Sequence, residues 1–130
     1  MKIIDAENAT LGRLSSYVAK ESLKGEEIII LNCGKIVISG NRKNIVEGYQ
    51  KKKGRVGSAQ KGPKYSLSIT KIVKRTIRGM LPEHRWGRGR EALKRIKCYK
   101  GVPKDFEDKK TIKLGDEKPS KFIILNEVGK

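Results

Sequence analysis

The sequence predicts an α/β fold in which a parallel sheet is covered by helices. Residues 28–31 read Ile-Ile-Ile-Leu. Four consecutive aliphatics, three of them β-branched, describe a strand buried on both faces, the signature of a parallel sheet between helical layers. Residues 66–81 carry Ile69, Ile72, Val73, Ile77, Met80 and Leu81 at helical spacing, which predicts an amphipathic helix with all six facing the core. The 130 residues are read as one domain, 1–130, with one modest core. Aromatics are only 5%, so that core rests on Ile, Val and Leu.

In chain order, residues 2–5 read as a short strand. Thr10 is placed to cap a helix that runs to about Lys24, its hydroxyl accepting from an early amide. Leu11, Leu14, Val18 and Leu23 form the apolar stripe of that helix. Gly25 can end it in the left-handed conformation. After the aliphatic strand, Cys33 and Gly34 break the run, and Ile36, Val37 and Ile38 form another short strand closed by Ser39 and Gly40. Asn41 can cap a short helix carrying Ile45, Val46 and Tyr49. Residues 50–64 lack apolar periodicity and read as a long cationic loop, a feature that is often functional in a compact domain. The helix at 66–81 follows and is stopped by Pro82. A short helix begins near Glu91, with Ala92, Leu93 and Ile96 inward. Cys98 and Tyr99 enter a strand-like segment, Gly101 and Pro103 mark a turn, and residues 122–125, Phe-Ile-Ile-Leu, read as a late strand.

Charge is distributed unevenly. The chain has 31 Lys and Arg against 14 Asp and Glu, a net of +17. Residues 1–40 hold five basic and five acidic side chains, and residues 105–130 hold six of each. The middle, 41–104, holds 20 basic residues and only Glu47, Glu83 and Glu91, so it carries the whole net charge. Such an excess opposes compaction unless a polyanion neutralises it. A solvated lysine-rich face would carry matching acids, and this segment has almost none. Confinement to one segment therefore marks a contact surface for nucleic acid.

Three stretches supply its candidate residues. The loop offers Lys51, Lys52, Lys53, Arg55, Lys61 and Lys64, with glycines that let backbone approach a phosphate. The helix at 66–81 places Lys71, Lys74, Arg75 and Arg78 at i, i+3, i+4 and i+7 on one face. Like charges so spaced destabilise an isolated helix, and a row of phosphates reverses that sign. Residues 83–90 bring together Arg85, Trp86, Arg88 and Arg90. Arginine binds phosphate in a bidentate manner and stacks on bases. Trp86 is either a stacking platform for an unpaired base or a hydrophobic anchor for its loop.

Other function classes are poorly supplied. Cys33-Gly34-Lys35 follows a buried strand but lacks the remainder of a phosphate loop, and Gly87-Arg88-Gly89 follows no strand. One histidine, His84, with no CxxC pair gives neither a zinc site nor a nucleophile-base constellation. No apolar run approaches the roughly 20 residues of a spanning helix, and Met1 leads into a strand rather than a secretory leader. Cys33 and Cys98 are therefore expected as reduced thiols in a cytoplasmic protein. No enzymatic activity, cofactor, metal, membrane contact or obligate homo-oligomer is expected.

Several ordered motifs carry a resemblance. Arg75-Thr-Ile-Arg-Gly-Met-Leu-Pro82, Arg88-Gly-Arg-Glu-Ala-Leu93 and Tyr99-Lys-Gly-Val-Pro103 follow one another in the order of three landmarks of the large-subunit ribosomal protein thirteen family. Upstream, Asp5-Ala, Leu11-Gly-Arg-Leu14, Val18-Ala-Lys20 and Asn32-Cys-Gly-Lys-Ile-Val-Ile-Ser-Gly40 are similar to its N-terminal half. The chain resembles the archaeal form of that family over residues 3–103, and the tail after Phe106 lies outside the match. The resemblance implies a three-layer α/β/α fold with a mostly parallel sheet of about four strands and a basic loop extension. It also implies binding to large-subunit ribosomal RNA, a place in early subunit assembly and neighbouring ribosomal proteins as partners. The alternative is a free RNA- or DNA-binding architectural protein or translational regulator, separable by competition between structured ribosomal RNA and duplex DNA.

Overall fold

The computed structural model describes residues 1–55, 62–115 and 118–128. Its elements run β1 (Lys2–Asp5), α1 (Leu11–Leu23), β2 (Ile28–Leu31), β3 (Val37–Ser39), α2 (Arg42–Lys53), α3 (Ile69–Gly79), α4 (Gly87–Lys94), β4 (Ile96–Cys98), β5 (Ile112–Lys113), β6 (Phe122–Ile124) and α5 (Leu125–Val128). Short 3-10 turns occupy Cys33–Lys35 and Lys104–Phe106.

Four strands form a parallel sheet in the order β4-β2-β1-β5. Register pairs Ile3 with Ile29 and Ile4 with Ile30, while Ile28 pairs with Ile96 and Ile4 with Ile112. Because side chains alternate along a strand, Ile4, Ile28, Ile30 and Ile96 share one face. They join Leu14 and Val18 of α1, Ile72, Val73 and Ile77 of α3 and Ala92 of α4 in the main core. Each such aliphatic, fully buried, contributes about 1.5–3 kcal/mol of transfer free energy. Ile3, Ile29 and Leu31 point the other way and are covered by Tyr99 and by Phe106 of the second 3-10 turn. The result is a three-layer α/β/α arrangement with a thick helical layer and a thin one. Among the described residues, no helix is long and apolar enough to cross a membrane.

The run at 28–31 is buried along its whole length, as a central parallel strand requires. The strand read at 36–38 is present at Val37–Ser39, but it lies outside the main sheet, pairing antiparallel with β6. The late apolar segment thus supplies a strand over 122–124, and Leu125 opens α5 instead of extending it. Gly25 has φ +98°, as a left-handed helix end demands. The Asn41 side chain accepts from the Lys43 amide and caps α2. Thr10 occupies the cap position of α1, yet its hydroxyl makes no capping bond.

Three boundaries differ from the sequence reading. Lys51, Lys52 and Lys53 are the last turn of α2, not loop. Cations at a helix C-terminus are favoured by the helix dipole, and an exposed turn needs no apolar periodicity. Helix α3 is shorter at both ends than 66–81, and Met80, expected inside, is 44% exposed beyond its last turn. Helix α4 begins at Gly87 rather than Glu91. Lys61 lies outside the described residues.

Cys33 and Cys98 are both free. Just beyond the paired strands β2 and β4, the Cys33 amide donates to the carbonyl of Tyr99, the residue after Cys98, at 3.1 Å. The neighbouring Cys98 and burial push the Cys33 thiol, which donates to the Ile30 carbonyl at 3.7 Å, well above its ordinary range. Cys98 moves in the opposite direction, lowered by the adjacent Cys33 and by the Lys74 charge.

Candidate nucleic-acid interface

Helix α3 builds the centre of the basic surface. Ile72, Val73 and Ile77 pin one face to the core, which turns the opposite face outward. Lys71 and Lys74 are exposed there, and Arg75 and Arg78 are half-buried. These four side chains and Lys64 line a cavity of about 500 Å³. Tyr65, Ser66 and Leu93 complete the described wall, which contains no carboxylate.

The cavity wall is organised by stacking. The Arg75 guanidinium carbon sits 3.9 Å from the Tyr65 ring centroid. Its Nη2 donates to the Lys64 carbonyl at 3.3 Å. The ammonium of Lys52 lies 5.4 Å from the Tyr49 ring and 5.7 Å from Tyr65. The two rings pack at 6.2 Å with planes tilted by 53°. A cation over an aromatic face is attracted by the ring quadrupole, so α2, the segment at 64–66 and α3 are drawn together around Tyr65.

Further candidates among the described residues lie outside the cavity's described lining. Lys51, Lys53 and Arg55 are exposed at and just past the end of α2. Arg85 and Trp86 precede α4, while Arg88 and Arg90 project from its first turn and are exposed. Arg90 lies one turn before Leu93, so α4 connects its own arginines to the edge of the cavity. Trp86 is 65% exposed, which leaves its ring unused as an anchor among the described residues.

Carboxylates in the chain neutralise other cations. Glu21 holds Lys2 and Lys24, Glu7 holds Lys35, Glu127 holds Arg42 and Glu91 holds Arg95. Among the described residues, none of the nominated cations is in an ion pair. The intramolecular pairs thus lie largely on the scaffold, and the middle segment presents unneutralised positive charge. Sequence reasoning missed Tyr65, Ser66 and Leu93. Tyr65 lies directly after Lys64 in a stretch without periodicity, so no pattern distinguishes it. Leu93 reads as a core residue and serves partly as one.

Comparison with known proteins gives the frame. The family described as ribosomal protein L13 matches residues 1–105. The chain belongs to the ribosomal protein L13 family, archaeal type. The large ribosomal subunit protein uL13 of Methanosarcina barkeri is 46% identical, over 98% of this chain and 94% of its own length. The uL13 proteins of Thermoplasma volcanium and Methanocaldococcus jannaschii are each 44% identical, over 100% of this chain and 96% of theirs. All nominated cations fall inside the segment matched to L13. Strands β5 and β6 lie beyond it, in a tail that the full-length uL13 relatives nonetheless span.

Proposed function

We propose that this L13-family protein is a structural, non-catalytic constituent of the large ribosomal subunit in the cytoplasm. It acts as one domain that binds large-subunit ribosomal RNA and supports early subunit assembly, beside neighbouring ribosomal proteins. The observation that carries this reading is the unneutralised basic surface on an L13 frame. Lys71, Lys74, Arg75 and Arg78 form its centre. Lys51, Lys52, Lys53, Arg55 and Lys64 extend it on one side, with Arg85, Trp86, Arg88 and Arg90 on the other and Lys61 assigned from sequence alone. Recognition is mainly of RNA shape, because the deep groove of an RNA duplex hides its base edges while its phosphates remain accessible.

Sedimentation of a lysate from cells expressing a tagged chain tests the reading. The protein is expected to migrate stoichiometrically with the large subunit and to persist through a high-salt wash. Arg75→Glu combined with Arg78→Glu is expected to leave it at the top of the gradient. Wild-type protein found only at the top, or the double variant incorporated normally, would count against the assignment.

A further inference from the structure

The cavity beside α3 has more than a phosphate-binding surface needs. Contacts to the outside of a duplex require charge on a convex or flat face, as Lys51, Lys53 and Arg55 supply. Here five cations surround a recess that also holds a tyrosine, a serine and a leucine. Its volume of about 500 Å³ lies within the roughly 300–1,000 Å³ of small-molecule sites. A recess of this size matches one nucleotide rather than the width of an RNA helix.

The chemistry of the wall matches the parts of a nucleotide. Arg75 is stacked on Tyr65 and tethered to the Lys64 carbonyl, so its guanidinium is held in place before any ligand arrives. A guanidinium with one face on a ring has its other face left for a second planar group, and bases stack on arginine planes as they do on aromatic rings. Leu93 gives the apolar contact that a base edge tolerates and a phosphate does not. Lys71, Lys74 and Arg78 supply the charge for the attached phosphate. The Ser66 hydroxyl can donate to or accept from a base edge or a 2′-hydroxyl. Prior ordering of Arg75 reduces the entropy lost on binding.

We propose that this cavity captures a single unpaired nucleotide of the bound RNA, its base stacked on Arg75 against Leu93 and its phosphate on Lys71, Lys74 and Arg78. The proposal rests on the RNA-binding reading above and adds to it a base-stacking site. Tyr65 is a positioning residue in this scheme, acting through Arg75.

Large subunits carrying the wild-type chain, Tyr65→Ala or Arg75→Lys separate the possibilities. Arg75→Lys keeps the charge and removes the plane. Ultraviolet crosslinking of wild-type subunits, read by mass spectrometry, is expected to place a nucleotide on the peptide spanning 64–78. Base-specific chemical probing is expected to show one unpaired base that becomes at least about fivefold more reactive in both variants, the loss of one stacking contact. The hydroxyl-radical footprint of the rest of the protein should be retained. Wild-type crosslinks confined to other peptides would overturn the proposal, as would a retained footprint in which no base gains reactivity. Neither result touches RNA binding itself. Failure of the wild-type chain to sediment with large subunits overturns both readings together.

Discussion

Glu21 shows how one carboxylate can secure the N-terminal half. It is buried on α1, bonds the ammonium of Lys2 on β1, and accepts from Lys24 at 2.8 Å. Those two hydrogen bonds hold its carboxyl down at about 2, against an ordinary 4.5. A carboxyl lowered on folding stabilises the native state above its unfolded value. That stabilisation is full above about pH 4.5 and disappears as pH falls toward about 2. Lys2 is raised by the same bond, so its share is full below 10.5 and is lost as pH rises through the raised value. Glu21→Gln is expected to lower the melting temperature at neutral pH and to flatten the acid limb between about pH 4.5 and 2, followed by circular dichroism. At this scale the sequence offers little warning. Glu21 lies 19 residues from Lys2, and nothing in the spacing marks them as partners. The charge runs, by contrast, were readable residue by residue, because the unpaired cations stand in a segment that lacks acids.

Helix α4 begins earlier than propensity allows, and packing explains why. Glycine in a helix interior costs about 1 kcal/mol relative to alanine, so Gly87 to Arg90 reads as loop. Yet a Cβ on Gly89 would stand 1.5 Å from the Pro82 carbonyl oxygen. Only glycine lets this helix lie against the backbone that ends α3, and tertiary contact overrides the local preference. Gly89→Ala is therefore expected to destabilise by about 3 kcal/mol and to disorder the Arg88 and Arg90 turn. Gly48, inside α2, has nothing within 4 Å of its would-be Cβ. Gly48→Ala is expected to stabilise by about 0.5–1 kcal/mol. Thermal melts of the two variants, moving in opposite directions, check both values. The other elements were legible in proportion to their burial. The aliphatic run of β2 and the stripe of α3 were plain, whereas β5 is two exposed residues with no pattern. The strand character of β3 could be read locally, but its partner, more than eighty residues away, could not.

Across the whole molecule, charge is divided between a near-neutral α/β scaffold and a basic surface carrying the net +17. That division was visible in the sequence. The cavity within the basic surface was not, because it depends on the fold bringing Tyr65 and Leu93 to the same recess beside α3. The division also predicts a salt response. Each cation that releases a counterion from RNA adds to the slope of log affinity against log salt. Lys71→Gln is expected to reduce that slope by about 1. Arg42→Gln should leave it unchanged, since that guanidinium is already engaged by Glu127 at 3.6 Å. Filter binding to ribosomal RNA across a salt series distinguishes the two. The sheet order has a separate consequence in time. Strand β1, which precedes the other described strands, is an inner strand whose neighbour β5 is made about a hundred residues later, and β3 waits more than eighty residues for β6. At roughly 5–20 residues per second of synthesis, the nascent sheet has an unfilled edge for seconds. The parallel sheet is therefore completed only after the helices that cover it have been made, so β1 waits on a partner from the far side of the whole helical layer.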